Sequence, residues 1–167
     1  PGPPSSYRMT PRFLPAAVDQ HVRYFWSSVD VEVEWPERVL ARLGMTSLAD
    51  KACLDFVCGV GRHVAPLARK FRLVHGYDIA KPHLELARER VADRANVELH
   101  WVRELRVSLA RADVFFSRLV LQHNPPPIIA SLIRSALECL APGGIAIFQV
   151  PTYKLGYRFV AAERADR

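Results

Sequence analysis

The run Leu54-Asp55-Phe56-Val57-Cys58-Gly59-Val60-Gly61-Arg62-His63 holds the densest group of residues able to do chemistry. Asp55 closes an apolar stretch, where an acid is costly unless it binds something or accepts backbone hydrogen bonds. Gly59 and Gly61 permit a tight turn and let the backbone come close to a ligand. A second acid, Asp78, ends Val74-His75-Gly76-Tyr77-Asp78, about 20 residues beyond the glycines. At that distance a carboxylate can accept hydrogen bonds from both hydroxyls of a ribose. Plainer readings compete: a simple strand-to-helix turn for the glycines, and an acid favoured by a helix dipole for Asp78. The dinucleotide fingerprint G-x-G-x-x-G is absent. Counted from Gly59, its third small residue is Val64; counted from Val57, its first is lost. A nucleoside-type site without a pyrophosphate grip is the expectation.

His123 follows another apolar run and carries an imidazole that titrates near neutrality, which makes it the candidate general base. Packing of the next helix is its plainer role, and Gln122 and Arg118 are further candidates to line a pocket. His21, His63, His75, His83 and His100 show no metal-ligand spacing, so no metal is expected. Cys53, Cys58 and Cys139 form no Cys-x-x-Cys pair and read as small core residues.

The positioning elements follow from apolar periodicity. Residues 1–15 read as a loose arm rich in Pro and Ser. A helix is expected over 16–27, and a second after Trp35, with Pro36 in its first turn and Gly44 as its stop. From residue 51 onward short apolar runs alternate with helical patterns. Strands are expected at 52–57, 73–77, 97–102, 114–117 and 145–150. Helices are expected at 64–71, 82–92 and 128–140, with Pro142-Gly143-Gly144 as a turn. Strict alternation implies crossover units and a doubly wound, mostly parallel α/β sheet. The chain divides into the arm (1–15), N-terminal helices (16–50) and one core (51–167).

The 167 residues carry a net charge of +6 and a pI near 9.6. The basic residues are scattered among acids, without an aromatic-and-basic stripe, so nucleic acid is not an expected partner. No apolar run is long enough to span a bilayer and no secretory signal opens the sequence, so a cytoplasmic location is expected.

Four segments resemble class I S-adenosylmethionine-dependent methyltransferases, in family order. Leu54 to Gly61 is similar to the first motif, and Gly76-Tyr77-Asp78-Ile79 to the acidic motif after it. Ser117-Arg118-Leu119-Val120-Leu121-Gln122-His123 with Pro125-Pro126 resembles the fourth-strand region of a bacterial branch. Leu140-Ala141-Pro142-Gly143-Gly144 resembles the turn before the fifth strand. The resemblance implies a Rossmann-like fold, S-adenosylmethionine as cofactor, and methyl transfer to oxygen, nitrogen or carbon of a small-molecule acceptor. It places Gly59 and Gly61 against the amino acid part of the cofactor and Asp78 on the ribose. Asp55 would order the loop and the methionine amine; Val57, Ile79 and Ser117 complete the implied cofactor site, with His123 as the catalytic candidate.

Departures from the family pattern support a rival, an inactive relative acting as a binding or structural module. Val57 stands at the usual first glycine, where a β-branched residue does not easily take positive φ and its side chain crowds the cofactor. Ala80 replaces an N-capping residue, a loss of about 1 kcal/mol. The third strand ends without an Asp for the adenine amine, leaving Glu104 nearest. After 150 the family's C-terminal antiparallel strands are expected to be short or missing, and a fragment is one explanation. The basic pI keeps an RNA methyltransferase as a second alternative; a dehydrogenase would need Val64 to tolerate a pyrophosphate. Asn124-Pro125-Pro126-Pro127 is not the Asn-Pro-Pro-aromatic motif of amide or adenine methylation, because Pro127 cannot stack on a base. Its prolines read as a helix start.

Overall fold

The structure, a computed structural model, describes residues 23, 25–27, 29–103 and 108–150. The expected arm, most of the first expected helix, Glu104 and the tail from Pro151 lie outside these residues. The first complete element is helix α1, Val29–Arg42. It begins earlier than Pro36, which sits inside the helix and not in its first turn. A mid-helix proline removes one backbone hydrogen bond. Here Val29, Val33, Pro36 and Leu40 fall on one stripe, and all four are buried, so packing against the core outweighs that loss. The helix stops in a Schellman turn. The Met45 N–H donates to the Leu40 carbonyl at 2.9 Å and the Gly44 N–H to Ala41 at 3.1 Å, with Gly44 at φ +92°.

Five strands follow: β1 Ala52–Phe56, β2 Leu73–Asp78, β3 Val97–Trp101, β4 Ala112–Ser117 and β5 Leu140–Phe148. Between them lie α2 (Val64–Ala68), α3 (Lys81–Arg90), a 3-10 turn at Leu121–His123 and α4 (Pro126–Cys139). Prolines occupy the first turn of α3 and α4, where a missing N–H costs nothing. The expected helix over 64–71 shortens to 64–68, and its last residues close as a turn through Lys70 and Phe71 N–H bonds to Leu67. The strand order is β3-β2-β1-β4-β5, and every pair is parallel. The five described strands thus form the doubly wound sheet that alternation implied.

β5 differs from expectation. Its pairing starts at Leu140 opposite Ala112, ahead of the expected turn, and resumes with Val114 opposite Ile145. Pro142-Gly143-Gly144 therefore bulge out of a continuing strand. A Cβ on Gly144 would lie 2.8 Å from the Ala141 carbonyl oxygen and 3.0 Å from that of Asp113, so the bulge stays tight against β4.

Two apolar layers cover the sheet. On one face Val33 and Leu40 of α1 join Leu67, Phe71, Leu84, Val74, Val114 and Phe116. On the other, Ala136 and Cys139 of α4 pack with Leu54, Phe56, Tyr77 and Phe115. Because β1 sends its chain to β2 on one side and lies beside β4 on the other, strand order reverses between β1 and β4. A ligand cleft forms beyond the carboxyl ends of the strands at such a point.

Leu40 is 1% exposed, which makes α1 part of the core and not an appended arm. Leu40→Ala is expected to lower stability by about 2–4 kcal/mol in a single urea transition. Loss of α1 ahead of an unchanged main transition would contradict that placement.

Candidate functional site

The loop after β1 is built from left-handed residues: Val57 at φ +62°, Gly59 at +56° and Gly61 at +76°. The valine takes the conformation its β-branch was expected to avoid, and both of its neighbours are pinned. The Ser117 hydroxyl donates to the Phe56 carbonyl at 3.1 Å, and the Cys58 N–H donates to the Tyr77 carbonyl at 2.9 Å. The sheet thus imposes on Val57 a backbone conformation costing about 1–3 kcal/mol. At Gly61 an added Cβ would sit 3.0 Å from the Ala87 Cβ and 3.2 Å from its Cα, so only glycine lets the loop rest on α3.

Asp78 organises this loop. Its Oδ2 accepts the Gly59 N–H at 2.8 Å and its Oδ1 the Ala80 N–H at 2.7 Å, while the residue is 2% exposed. The second bond also stabilises the start of α3, where Ala80 offers no side-chain cap. The loop-ordering role implied for Asp55 therefore falls to Asp78. Asp55 lies fully buried below the loop, and its Oδ2 has no hydrogen-bond partner. Burial pushes its carboxyl up to about 6, opposed by nearby His63 and reinforced by the charge of Asp78.

Beside the loop, Glu32 of α1 gathers three basic side chains. Arg62 Nη2 lies 2.8 Å from Glu32 Oε1, His63 Nε2 lies 3.0 Å from Oε2, and Arg118 also reaches Oε2. The Arg62 guanidinium stacks 4.3 Å above the Phe25 ring. Burial holds the His63 pKa below its ordinary value, with Asp55 opposing and Arg62 adding to the fall. These contacts tie the N-terminal helix to the glycine loop and to the residue after β4.

An open cleft of about 1000 Å³ crosses the carboxyl ends of the strands. Val57 lines it after β1, Ile79 after β2, Trp101 to Arg103 at the end of β3, and Leu119 and His123 after β4. Ile79 is 68% exposed, Leu119 48% and Trp101 42%, so three of the large exposed apolar side chains line this cleft. The Trp101 indole N–H donates to the Ile79 carbonyl at 3.1 Å, and Arg103 lies 4.4 Å over its ring. A second cavity of about 530 Å³ lies between Glu32, Ser117 and Arg118 on one side and Ile147 to Val150 on the other.

The structure brings Val57, Ile79 and His123 to one cleft, sets Gly59 and Gly61 in the loop after β1, and joins Asp78 at the end of β2 to that loop. Asp55 lies beneath. The Ser117 hydroxyl is engaged by the Phe56 carbonyl and acts on the shape of the loop. Trp101, Leu119 and Glu32 were not singled out from the sequence. An aromatic residue one position before the end of the expected strand 97–102 was the available signal for Trp101. Leu119 owes its place to φ +60°, which nothing in its local sequence announces.

Two substitutions test this geometry. The Asp55 carboxyl has a folded pKa raised above its usual 3.8, so the folded chain binds the extra proton between those values. Stability then falls as pH rises through roughly 4 to 6, by about 3 kcal/mol in total. Asp55→Asn removes that cost, and its melting temperature should exceed the parent's by a margin that widens from pH 4 to pH 7. A constant margin would mean that the carboxylate has a compensating partner. Val57→Gly relieves the strained backbone, so its melting temperature should hold or rise, whereas removal of a packed valine side chain in relaxed backbone costs more than about 1 kcal/mol. A clear fall would show that Val57 is not strained.

The family profile described as a methyltransferase domain matches residues 53–144, more than half of the chain. The ubiquinone biosynthesis O-methyltransferase of Serratia proteamaculans is 31% identical over 115 residues, covering 66% of this chain and 46% of its own length. The chain thus spans under half the length of that relative. Among solved structures, DesVI of Streptomyces venezuelae superposes with a TM-score of 0.68 at 19% identity, over 87% of this chain and 61% of its own. An S-adenosylmethionine-bound aminopentose methyltransferase from Micromonospora echinaspora superposes with a TM-score of 0.65 at 22% identity, over 86% and 59%. With the glycine loop, the acid after β2 and the parallel sheet in place, the chain belongs to the methyltransferase domain family and carries the class I, Rossmann-like fold of S-adenosylmethionine-dependent methyltransferases.

Proposed function

We propose that the chain binds S-adenosylmethionine and transfers its methyl group to a small-molecule acceptor. The observation that carries this reading is the junction of Asp78 with the glycine loop at the rim of an apolar cleft. Each Asp78 oxygen holds one backbone N–H and keeps acceptor capacity for a ribose hydroxyl. Ile79, Trp101 and Leu119 offer apolar surface for a purine. Gly59 and Gly61 would face the amino acid part, and the unpartnered Asp55 oxygen matches the ammonium of that part. The residues present therefore fit the group.

S-adenosylmethionine, when bound, supplies a sulfonium methyl for in-line displacement. The protein's task is then to hold the acceptor in line, and positioning of this kind supplies much of the rate. The cavity between Glu32, Arg118 and Gln149 is the acceptor pocket in this reading. His123 stands on the cleft and not in that cavity, so it would take a proton only from an acceptor hydroxyl that reaches the cleft; a neutral amine would not need it. A small-molecule acceptor accords with the relatives, one named for ubiquinone biosynthesis and another for an aminopentose. Among the described residues no helix is long and apolar enough to cross a membrane.

The Val57 side chain on the cleft wall favours one rival, a fold that binds the cofactor poorly and does not turn over. Calorimetric titration with S-adenosylmethionine and S-adenosylhomocysteine separates the two. Micromolar binding, weakened at least tenfold in a folded Asp78→Ala variant, is the expected result. Binding that appears only in Val57→Gly would establish the rival, and no binding in either would remove the cofactor site.

A further inference from the structure

Away from the cleft, on the sheet face shared with Tyr77, the geometry points to a divalent transition-metal site formed by His75, Glu98 and His100, of the class that zinc occupies. Linear spacing gave these residues no metal signature; strand register unites them. His75 of β2 pairs directly with Glu98 of β3, and Tyr77 pairs with His100, so all four side chains share one face of two adjacent parallel strands. His75 Nδ1 lies 3.2 Å from His100 Nε2 and 3.3 Å from Glu98 Oε2, and His100 Nε2 lies 3.7 Å from the same carboxylate oxygen. A tetrahedral zinc ion with bonds near 2.0–2.1 Å holds its ligand atoms about 3.3 Å apart. The three separations match the edges of such a tetrahedron, so a metal could enter with little movement of the side chains.

The donor set and its surroundings agree. Two imidazoles and one carboxylate suit zinc and neighbouring first-row ions better than magnesium or calcium, which take oxygen ligands. Burial lowers the pKa of both imidazoles, which favours the neutral form a metal requires. His75 is buried while Glu98 is exposed, so the site has fixed donors below and an open approach above, with a fourth position for water. Tyr77 stacks on His100 with ring centroids 4.4 Å apart at 17°, which sets the imidazole plane.

The fold explains why such a site lies here. Parallel strands are normally covered on both faces. The link from β3 to β4 spans 102–111, and its described residues, 102–103 and 108–111, form no helix. On this face α4 joins the apolar cluster through Tyr77 of β2, whereas His75, Glu98 and His100 beside it are polar. A bound ion clips the edge strand β3 to β2 and so steadies Trp101, which walls the cleft.

The test is calorimetry of the 167-residue chain, stripped with chelator, against zinc chloride, with cobalt(II) absorption as the geometric readout. The expected result is one equivalent bound at micromolar affinity or better, visible bands of four-coordinate cobalt, and a melting temperature that rises with zinc. Glu98→Gln and His100→Gln should each weaken binding at least tenfold while keeping the metal-free melting temperature within a few degrees. Absence of saturable binding, or binding unchanged in both variants, would overturn the site. This outcome is independent of the cofactor titration, because neither variant touches Asp78 or the glycine loop.

Discussion

The backbone N–H of Gly59 meets the buried carboxylate of Asp78, and much of the site's geometry follows from that bond. It joins the loop after β1 to the end of β2, two strands that cross-pair from Ala52 to Phe56. With its ends held in this way, the loop turns through left-handed conformations at Val57, Gly59 and Gly61. A charge-assisted bond in a desolvated setting is among the stronger hydrogen bonds a protein makes. It therefore has the strength to hold a strained valine as well as two tolerant glycines.

Strain and unpaired charge lie close together here. Val57 is held at positive φ, and Asp55 is buried with an unpartnered oxygen. Both costs are tolerable because the strand beneath is packed on both faces: every residue of β1 is buried, and the core layers on either face contribute far more than the local penalties remove. Polar and strained features of this kind concentrate where a ligand changes the balance. An ammonium near Asp55 would offset the desolvation of the carboxylate, coupling ligand affinity to the stability of the loop.

The N-terminal helix belongs to this arrangement through charge as well as packing. Glu32 is the common partner of Arg62, His63 and Arg118, which come from the loop after β1 and the end of β4. The helix thereby closes one side of the second cavity and links it to the glycine loop.

The alternation of strands and helices, the glycine turn, and the acid after β2 were all legible in the residues, because periodicity and turn chemistry are local. The nucleoside-type reading of the site rests on the same local signals, because the two glycines and Asp78 are each marked by the strand they follow or end. Other features depended on contacts between distant segments. Pro36 sits inside a helix because its buried stripe outweighs a lost hydrogen bond, and Pro142 to Gly144 bulge inside a strand because β4 holds both ends. Val57 adopts a glycine's conformation because Ser117 and Tyr77 hold its neighbours, and Leu119 faces the cleft through a backbone angle its sequence does not encode. The partnership of His75, Glu98 and His100 exists only through the pairing of β2 with β3. Local chain preference therefore determined which elements form and where the chemistry begins. Register and packing, which act between residues far apart in sequence, decided which side chains meet.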